Sequence, residues 1–313
     1  MSLTVQNVSK TYGSFRAVDC LNFDFGQSGV FALLGTNGAG KTTSIRIILG
    51  MLSKDSGTVE WKGEPIRPAQ GGIGYLAEDR GLYPKIDIIN QMYFFASIKG
   101  LKKSRAKKEI DYWFERLGID EYRSKKADQL SKGNQQKVQL AAALIGNPEL
   151  IVLDEPLSGL DPINADLFKS VIREEIAKDK FIIMSSHQMN IIEEFCSDII
   201  IMNRGKTVLN GNLNKIKKEE GRVNLLVKAD GDFMGLASEC GLRLKENTPN
   251  GVCFTVREEA QAHALMKKML EAGVPPIKFE LREPTLNEIF IERVERFTET
   301  EENGEKGEEK NEV

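Results

Sequence analysis

Short continuous apolar runs and longer helical stripes succeed one another along this chain. Leu3, Val5 and Val8 alternate with polar positions and predict an edge strand. Val18–Phe25 predicts a second strand, and Val30-Phe31-Ala32-Leu33-Leu34 a third. Ile45, Ile48, Leu49 and Leu52 then recur at helical spacing, and Thr58–Trp61 and Ile73–Leu76 predict two further short strands. From about residue 85 to 147 the pattern is helical. Ile110, Trp113, Phe114 and Leu117 form one stripe, with Lys107, Lys108, Asp111 and Glu115 outside it. Leu150-Ile151-Val152-Leu153 and Phe181-Ile182-Ile183-Met184 are apolar on both faces, as strands of a parallel sheet are.

After Lys217-Lys218-Glu219-Glu220-Gly221, which reads as a charged link, the period changes. Val223, Leu225 and Val227 alternate with polar positions, as do Val252, Phe254 and Val256, and Ile277, Phe279 and Leu281. Leu265, Met266, Met269 and Leu270 form a helical stripe between the last two runs, and a short helix is expected around Phe233–Cys240. Thr285 with Glu288 three residues on is a capping box that opens a helix through Ile289, Ile291 and Val294. The pattern therefore predicts an α/β domain over residues 1–218 with a helical part at about 85–147. A small α+β domain follows at 219–296, and residues 297–313 form a Glu-rich tail without apolar pattern, expected to be disordered.

The stretch Gly35-Thr36-Asn37-Gly38-Ala39-Gly40-Lys41-Thr42 fits G-x-x-x-x-G-K-[ST] without mismatch, between a predicted strand and a predicted helix. Glycines there let backbone N–H groups turn inward around phosphate oxygens, and the helix N-terminus adds its dipole. Lys41 would reach the β/γ-phosphates and the Thr42 hydroxyl would ligate Mg²⁺. The strand Leu150–Leu153 ends in Asp154 and Glu155, two adjacent carboxylates that are costly unless a cation or substrate awaits them. In phosphoryl transfer one such carboxylate holds Mg²⁺ and another activates the attacking water. His187 stands at the end of the next apolar strand, placed to sense a γ-phosphate; His263 lies in an Ala/Leu/Met helix and reads as structural. Tyr12, before the loop in sequence, is either a turn residue or a surface aromatic.

Composition acts mainly by exclusion. Hydrophobic residues make up 41% and charged residues 28%, ordinary for a soluble globular protein. The net charge is −3; seven Glu and two Lys after Thr298 contribute −5, which leaves +2 for the rest and no strongly basic face, so nucleic acid is not expected as a partner. Cys20, Cys196, Cys240 and Cys253 are scattered, which suits a reducing compartment and offers no metal site. The start, Met1-Ser2-Leu3-Thr4, does not read as a signal peptide. No apolar run approaches the ~18 residues needed to span a bilayer.

Taken in order, these motifs resemble the nucleotide-binding subunit of an ATP-binding cassette (ABC) transporter over roughly residues 1–218. The resemblance implies that Tyr12 stacks on adenine, that Gly35–Thr42 with Thr43 forms Walker A, and that Glu78 holds the Q-loop position. It makes Ser131, Lys132, Gly133, Asn134 and Gln135 the signature, Asp154–Glu155 the Walker B pair, Asp161 the D-loop aspartate and His187 the switch histidine. Asp154, Thr42 and Glu78 would hold Mg²⁺. The sequence departs from the family's pattern at three positions: Lys132 replaces a Gly and Asn134 a Gln in the signature, and Glu78 replaces the usual Gln. Lys132 adds a positive charge that faces either phosphate or solvent. The C-terminal part, with Glu-Pro-Thr-Leu before an apolar helix, resembles the extension found on subunits of the sodium- and drug-efflux type.

What the resemblance implies is an ATPase binding ATP and Mg²⁺, with Glu155 as general base and Lys41 and His187 stabilising charge on the γ-phosphate. One Walker A and one signature per chain imply a homodimer sandwiching two ATP molecules, with the signature acting in trans. A separate integral-membrane permease would be met through Glu78 and the helical region after Tyr83, at the cytoplasmic face of the membrane, and the C-terminal extension points to export. The alternative is a soluble, non-transport ABC ATPase.

Overall fold

A computed structural model of the chain describes residues 2–66, 72–78 and 81–308. It divides into two compact units, residues 1–211 and 212–313.

The first unit is built on two sheets. Strands β3 (Gly29–Gly35), β6 (Ile73–Leu76), β7 (Leu150–Asp154), β8 (Phe181–Ser185), β9 (Asp198–Asn203) and β10 (Lys206–Asn212) form one in the order β10-β9-β3-β8-β7-β6. Every recorded pair from β9 to β6 is parallel. Every residue of β7 and β8 is buried, which is why those runs are apolar without alternation. The second sheet has the order β2-β1-β4-β5, made of β1 (Leu3–Tyr12), β2 (Phe15–Phe25), β4 (Ser56–Trp61) and β5 (Glu64–Pro65), all antiparallel. The predicted edge strand thus lies inside its sheet: β1 pairs with β2 on one side and β4 on the other. Alternation reported one buried face and could not report the neighbours, since β4 comes from more than forty residues away.

Helix α1 (Lys41–Ile48) leaves β3 through the glycine loop and packs Ile45, Ile47 and Ile48 into a core shared with Phe23, Phe31 and Trp61. Helices α2 (Ile88–Ile98), α3 (Lys103–Leu117) and α4 (Lys132–Leu144) occupy the stretch of helical periodicity; Ile110, Trp113, Phe114 and Leu117 of α3 are buried as their spacing predicts. Helices α5 (Pro162–Ile176) and α6 (Met189–Phe195) connect β7 to β8 and β8 to β9.

The second unit contains α7 (Leu213–Glu220), so the segment that reads as a charged link is its first helix. It continues as β11 (Asn224–Lys228), α8 (Met234–Glu239), β12 (Arg243–Thr248), β13 (Gly251–Thr255), α9 (Glu259–Glu271) and β14 (Lys278–Arg282). The antiparallel order β12-β13-β11-β14 with this βαββαβ succession is the ferredoxin-like arrangement. Strand β12, Arg-Leu-Lys-Glu-Asn-Thr, is almost wholly exposed and pairs only with β13, so no apolar signal announces it. Helix α10 (Leu286–Glu308) runs on through residues expected to be disordered. Glu and Lys are good helix formers, and extending an existing helix avoids the cost of nucleation.

Glu288 pins the start of α10. Its carboxylate accepts from Thr285 N at 2.7 Å and Lys245 Nζ at 2.6 Å, from Arg282 Nη1 at 2.9 Å and from Asn224 Nδ2 at 3.1 Å. Burial alone would raise its pKa, but these donors outweigh it and hold the carboxyl at about 2, against 4.5 for a free glutamate. A depressed folded pKa means that the stabilisation is complete above the unfolded value and is lost as pH falls from about 4.5 towards 2. We expect Glu288→Gln to cost the second unit roughly 2–3 kcal/mol at pH 7, a gap that should close near pH 2. Hydrogen exchange of β11 and β14 amides as a function of pH is the measurement, and a gap independent of pH would count against the network.

Candidate active site

Four loops leave the carboxyl ends of neighbouring strands of the parallel sheet, the edge at which such sheets place ligands. After β3 comes the glycine loop. Gly40 has φ +100°, and a Cβ there would lie 2.2 Å from the Ala17 carbonyl oxygen, so no other residue fits without moving β2. At Gly35 a Cβ would meet the Met202 carbonyl oxygen at 2.5 Å. The loop is therefore wedged between β2 and the end of β9. Lys41 is buried, and its ammonium donates to the carbonyls of Gly35 (2.8 Å) and Thr36 (3.1 Å), folded back across the loop. Burial lowers its pKa, opposed by the carboxylates of Glu155, Asp154 and Glu78. All three carboxylates therefore bear on one ammonium.

After β7 come Asp154 and Glu155, both buried. Ser185, at the end of β8, donates its hydroxyl to Asp154 Oδ1, and its Oγ also accepts the Glu155 amide at 3.1 Å. Asp154 Oδ2 is buried and has no hydrogen-bond partner among the described residues. Burial raises the Asp154 pKa; Ser185, Thr42 and Lys41 pull it down, while Glu155 pushes it further up. Glu155 has φ +50°, a left-handed conformation that costs a non-glycine residue of order 1 kcal/mol. Its Oε2 lies 2.9 Å from His187 Nδ1, and the imidazole itself is 56% exposed.

A buried carboxylate oxygen without a hydrogen-bond partner, near the Thr42 hydroxyl, suits a cation. Two protein oxygens are too few for a calcium cage but suit Mg²⁺, which keeps waters and takes the rest of its shell from phosphates. Among the described residues no three acids, histidines or cysteines cluster as a metal site would. Glu78, after β6, is exposed, and its charge reaches Lys41.

Tyr12 closes the β1–β2 hairpin, 48% exposed, with Lys10 Nζ 5.7 Å from its ring centre. The expected signature stands at the start of α4. Ser131 caps that helix, accepting from Asn134 N at 3.3 Å. Asn134 donates to the Tyr122 hydroxyl at 3.0 Å, Gly133 faces Leu160 and Asn164, and Lys132 extends over Gly159. Gln135 differs from the other four expected signature residues. Its side chain is buried, and its amide donates to the carbonyls of Ala127 (2.8 Å) and Leu130 (3.0 Å). Asp161 caps α5, accepting from Asn164 N at 3.0 Å ahead of Pro162. Sequence reasoning assigned no role to Ser185 or to Met202 and Asn203, which back the glycine loop; the small polar residue closing an apolar strand was the only signal for Ser185.

Comparison with known proteins gives a consistent set of likenesses. A family model described as ABC transporter matches residues 18–158, and one described as the C-terminal domain of DrrA1-3-like ATP-binding proteins matches residues 211–294. The chain is 42% identical over 293 residues to an uncharacterized ABC transporter ATP-binding protein of Bacillus subtilis (strain 168), YhaQ, covering 93% of this chain and 98% of that one. It is 29% identical over 296 residues to the bacitracin transport ATP-binding protein BcrA of Bacillus licheniformis, covering 92% and 95%. A solved ATP-binding subunit of an ABC transporter superposes with a TM-score of 0.65 at 26% identity, covering 71% of this chain and 94% of that one. The ATP-binding cassette MJ0796, solved as a dimer bound to ADP and Pi, shares the fold at 21% identity, with a TM-score of 0.62 over 67% of this chain and 98% of that one.

Ser185→Ala should reveal how far Asp154 depends on the Ser185 hydroxyl. Removing that donor raises the Asp154 pKa further, so the penalty falls on the ionised form. We expect a loss of about 1–3 kcal/mol at neutral pH, shrinking as acid protonates Asp154. Denaturant unfolding of the variant across pH is the check, and a penalty that grows in acid would contradict the assignment.

Proposed function

The chain belongs to the family of ABC transporter ATP-binding proteins, and on that premise we propose that it is the ATP-hydrolysing subunit of an exporter, working with a separate membrane permease. The observation that carries the reading is the pair Asp154–Glu155 under the glycine loop, one carboxylate with a free buried oxygen and the other paired with His187. In this reading the N–H groups from Gly38 to Thr43 and Lys41 hold the phosphates, and Tyr12 carries the base. Lys41 must leave its two carbonyl partners to do so, an exchange that phosphate oxygens make favourable because both hydrogen bonds become charge-assisted on both sides. Thr42 and Asp154 would hold Mg²⁺, which would screen the phosphate charge. Glu155 accepts a proton from the attacking water, and His187 orients Glu155 through the 2.9 Å contact.

One glycine loop and one signature per chain support a dimer in which Ser131 and Gly133 of each copy face the nucleotide of the other. None of the described helices is long and apolar enough to cross a membrane, so a spanning partner is part of the proposal. A cleft of about 490 Å³ between β6 and helices α2 and α4, lined by Leu76, Ala77, Leu82, Phe95 and Ile98, supports a seat for that partner. Met51 also lines the cleft and is exposed, and Tyr83, Ile86 and Phe94 are about half exposed nearby in sequence. Contact with a permease would hold the protein at the cytoplasmic face of the membrane.

Two measurements test these roles. Glu155→Gln keeps shape and polarity and loses the proton acceptor, so MgATP should bind while turnover falls at least about a hundredfold and dimer accumulates in size-exclusion chromatography. Wild-type turnover in that variant would remove Glu155 as the base. Glu78→Ala should keep basal ATPase within about tenfold, ~1.4 kcal/mol in barrier, and lose most stimulation by the reconstituted permease. Full stimulation would leave Glu78 a solvated loop carboxylate.

A further inference from the structure

The tip of the β1–β2 hairpin carries a second aromatic that the assignments above leave unused. Phe15 is 59% exposed, more than Tyr12 and unusual for so large an apolar side chain. The two are direct partners in the ladder, closing the turn at Gly13-Ser14. Directly opposed residues of an antiparallel pair project from the same face.

Which face follows from the register. Lys10 pairs with Val18, Thr11 with Arg16 and Tyr12 with Phe15, so β2 carries one extra residue, Ala17, between the first two pairs. Counting that bulge once, Val18 and Phe15 are two ladder steps apart, as Lys10 and Tyr12 are, and all four share one face. Val18 is fully buried in the core that holds Ala39 of the glycine loop and Ile45 of α1. The face bearing Tyr12 and Phe15 is therefore the continuation, past the core, of the face that packs on the phosphate-loop helix. The bulge is held in place: the Ala17 carbonyl occupies the space a Cβ on Gly40 would fill, and Asp19 N donates to Gly205 O at 2.8 Å.

We propose that Phe15 is a second base-contacting residue, forming with Tyr12 a two-ring platform at the hairpin tip that grips the nucleobase. This rests on the reading of the glycine loop as an ATP site. Two aromatics fixed at one turn offer a purine more contact than one ring does, at little conformational cost because the hairpin already fixes both backbones. The platform contacts the base, so it contributes to the affinity for ATP and nothing to that for the phosphates alone.

The experiment compares ATP with inorganic tripolyphosphate, which lacks base and sugar, on the full chain by calorimetry. Phe15→Ala should weaken ATP about tenfold and leave tripolyphosphate unchanged. Phe15→Trp should retain ATP affinity and report contact directly: Trp61 and Trp113 are both buried, so a fluorescence change with ATP and none with tripolyphosphate locates the new indole at the base. Wild-type ATP affinity in Phe15→Ala, together with an indole in Phe15→Trp that does not respond to ATP, overturns the role of Phe15 alone. Failure of the unmodified protein to bind ATP overturns the nucleotide reading, and this inference with it.

Discussion

Charge held out of water at the carboxyl edge of one parallel sheet is the constraint on which the rest of the structure depends. Lys41, Asp154 and Glu155 are all buried, and burial works against the charged form of each. The fold meets this with a small set of fixed contacts: two loop carbonyls for the ammonium, Ser185 for Asp154, and His187 for Glu155. One oxygen of Asp154 is left over. The strands that bring these groups together must themselves be apolar on both faces, and that requirement forces the sequence of β7 and β8.

A second consequence concerns α4. Its first turn carries Lys132 and Gly133, and its later residues Gln139 and Ala142 line the apolar cleft. Thirteen residues of helix span about 20 Å, so one rigid rod reaches from the cleft to the signature. Its far end is clamped by Lys99, whose ammonium donates to the carbonyls of Ala142, Ala143 and Ile145 within 2.9 Å. Burial drives the Lys99 pKa down to about 8, with Glu109 opposing. The near side is stitched by the buried Gln91, which bonds Tyr83 and Ile86 in the loop that follows Glu78. A body seated in the cleft therefore bears on the backbone of both the Glu78 loop and the signature helix.

Much of this was legible in the sequence because the same physics writes both. Buried parallel strands have no polar face to alternate, so β3, β7 and β8 announce themselves, and the residues just beyond their ends are the candidate site. Helix starts were legible where a side chain does the capping, as at Ser131 and Thr285. What stayed hidden depends on partners distant in the chain. Whether β1 is an edge depends on β4, and β12 is a strand only because β13 lies beside it. Gln135 reads as a polar residue at a helix start, yet two carbonyls of the preceding turn draw its amide inward. Phe15 looks like any surface residue until a one-residue bulge at Ala17 decides which face it shares.

The departure at Glu78 changes the electrostatics of the site rather than its shape. Counted as carboxylates, Glu78, Asp154 and Glu155 set three negative charges against the single positive charge of Lys41. A glutamine at residue 78 would leave the balance at −1; glutamate makes it −2. The ligand is itself a polyanion, so the site repels free ATP more strongly than a glutamine-bearing relative would, at an effective dielectric of ~20 by roughly 2 kcal/mol for a charge ~8 Å away. The same charge attracts a divalent cation. On the proposed reading, glutamate in place of glutamine would favour the nucleotide's metal complex over the free nucleotide. The unpartnered oxygen of Asp154 would act in the same direction, as a donor for the metal in that proposal.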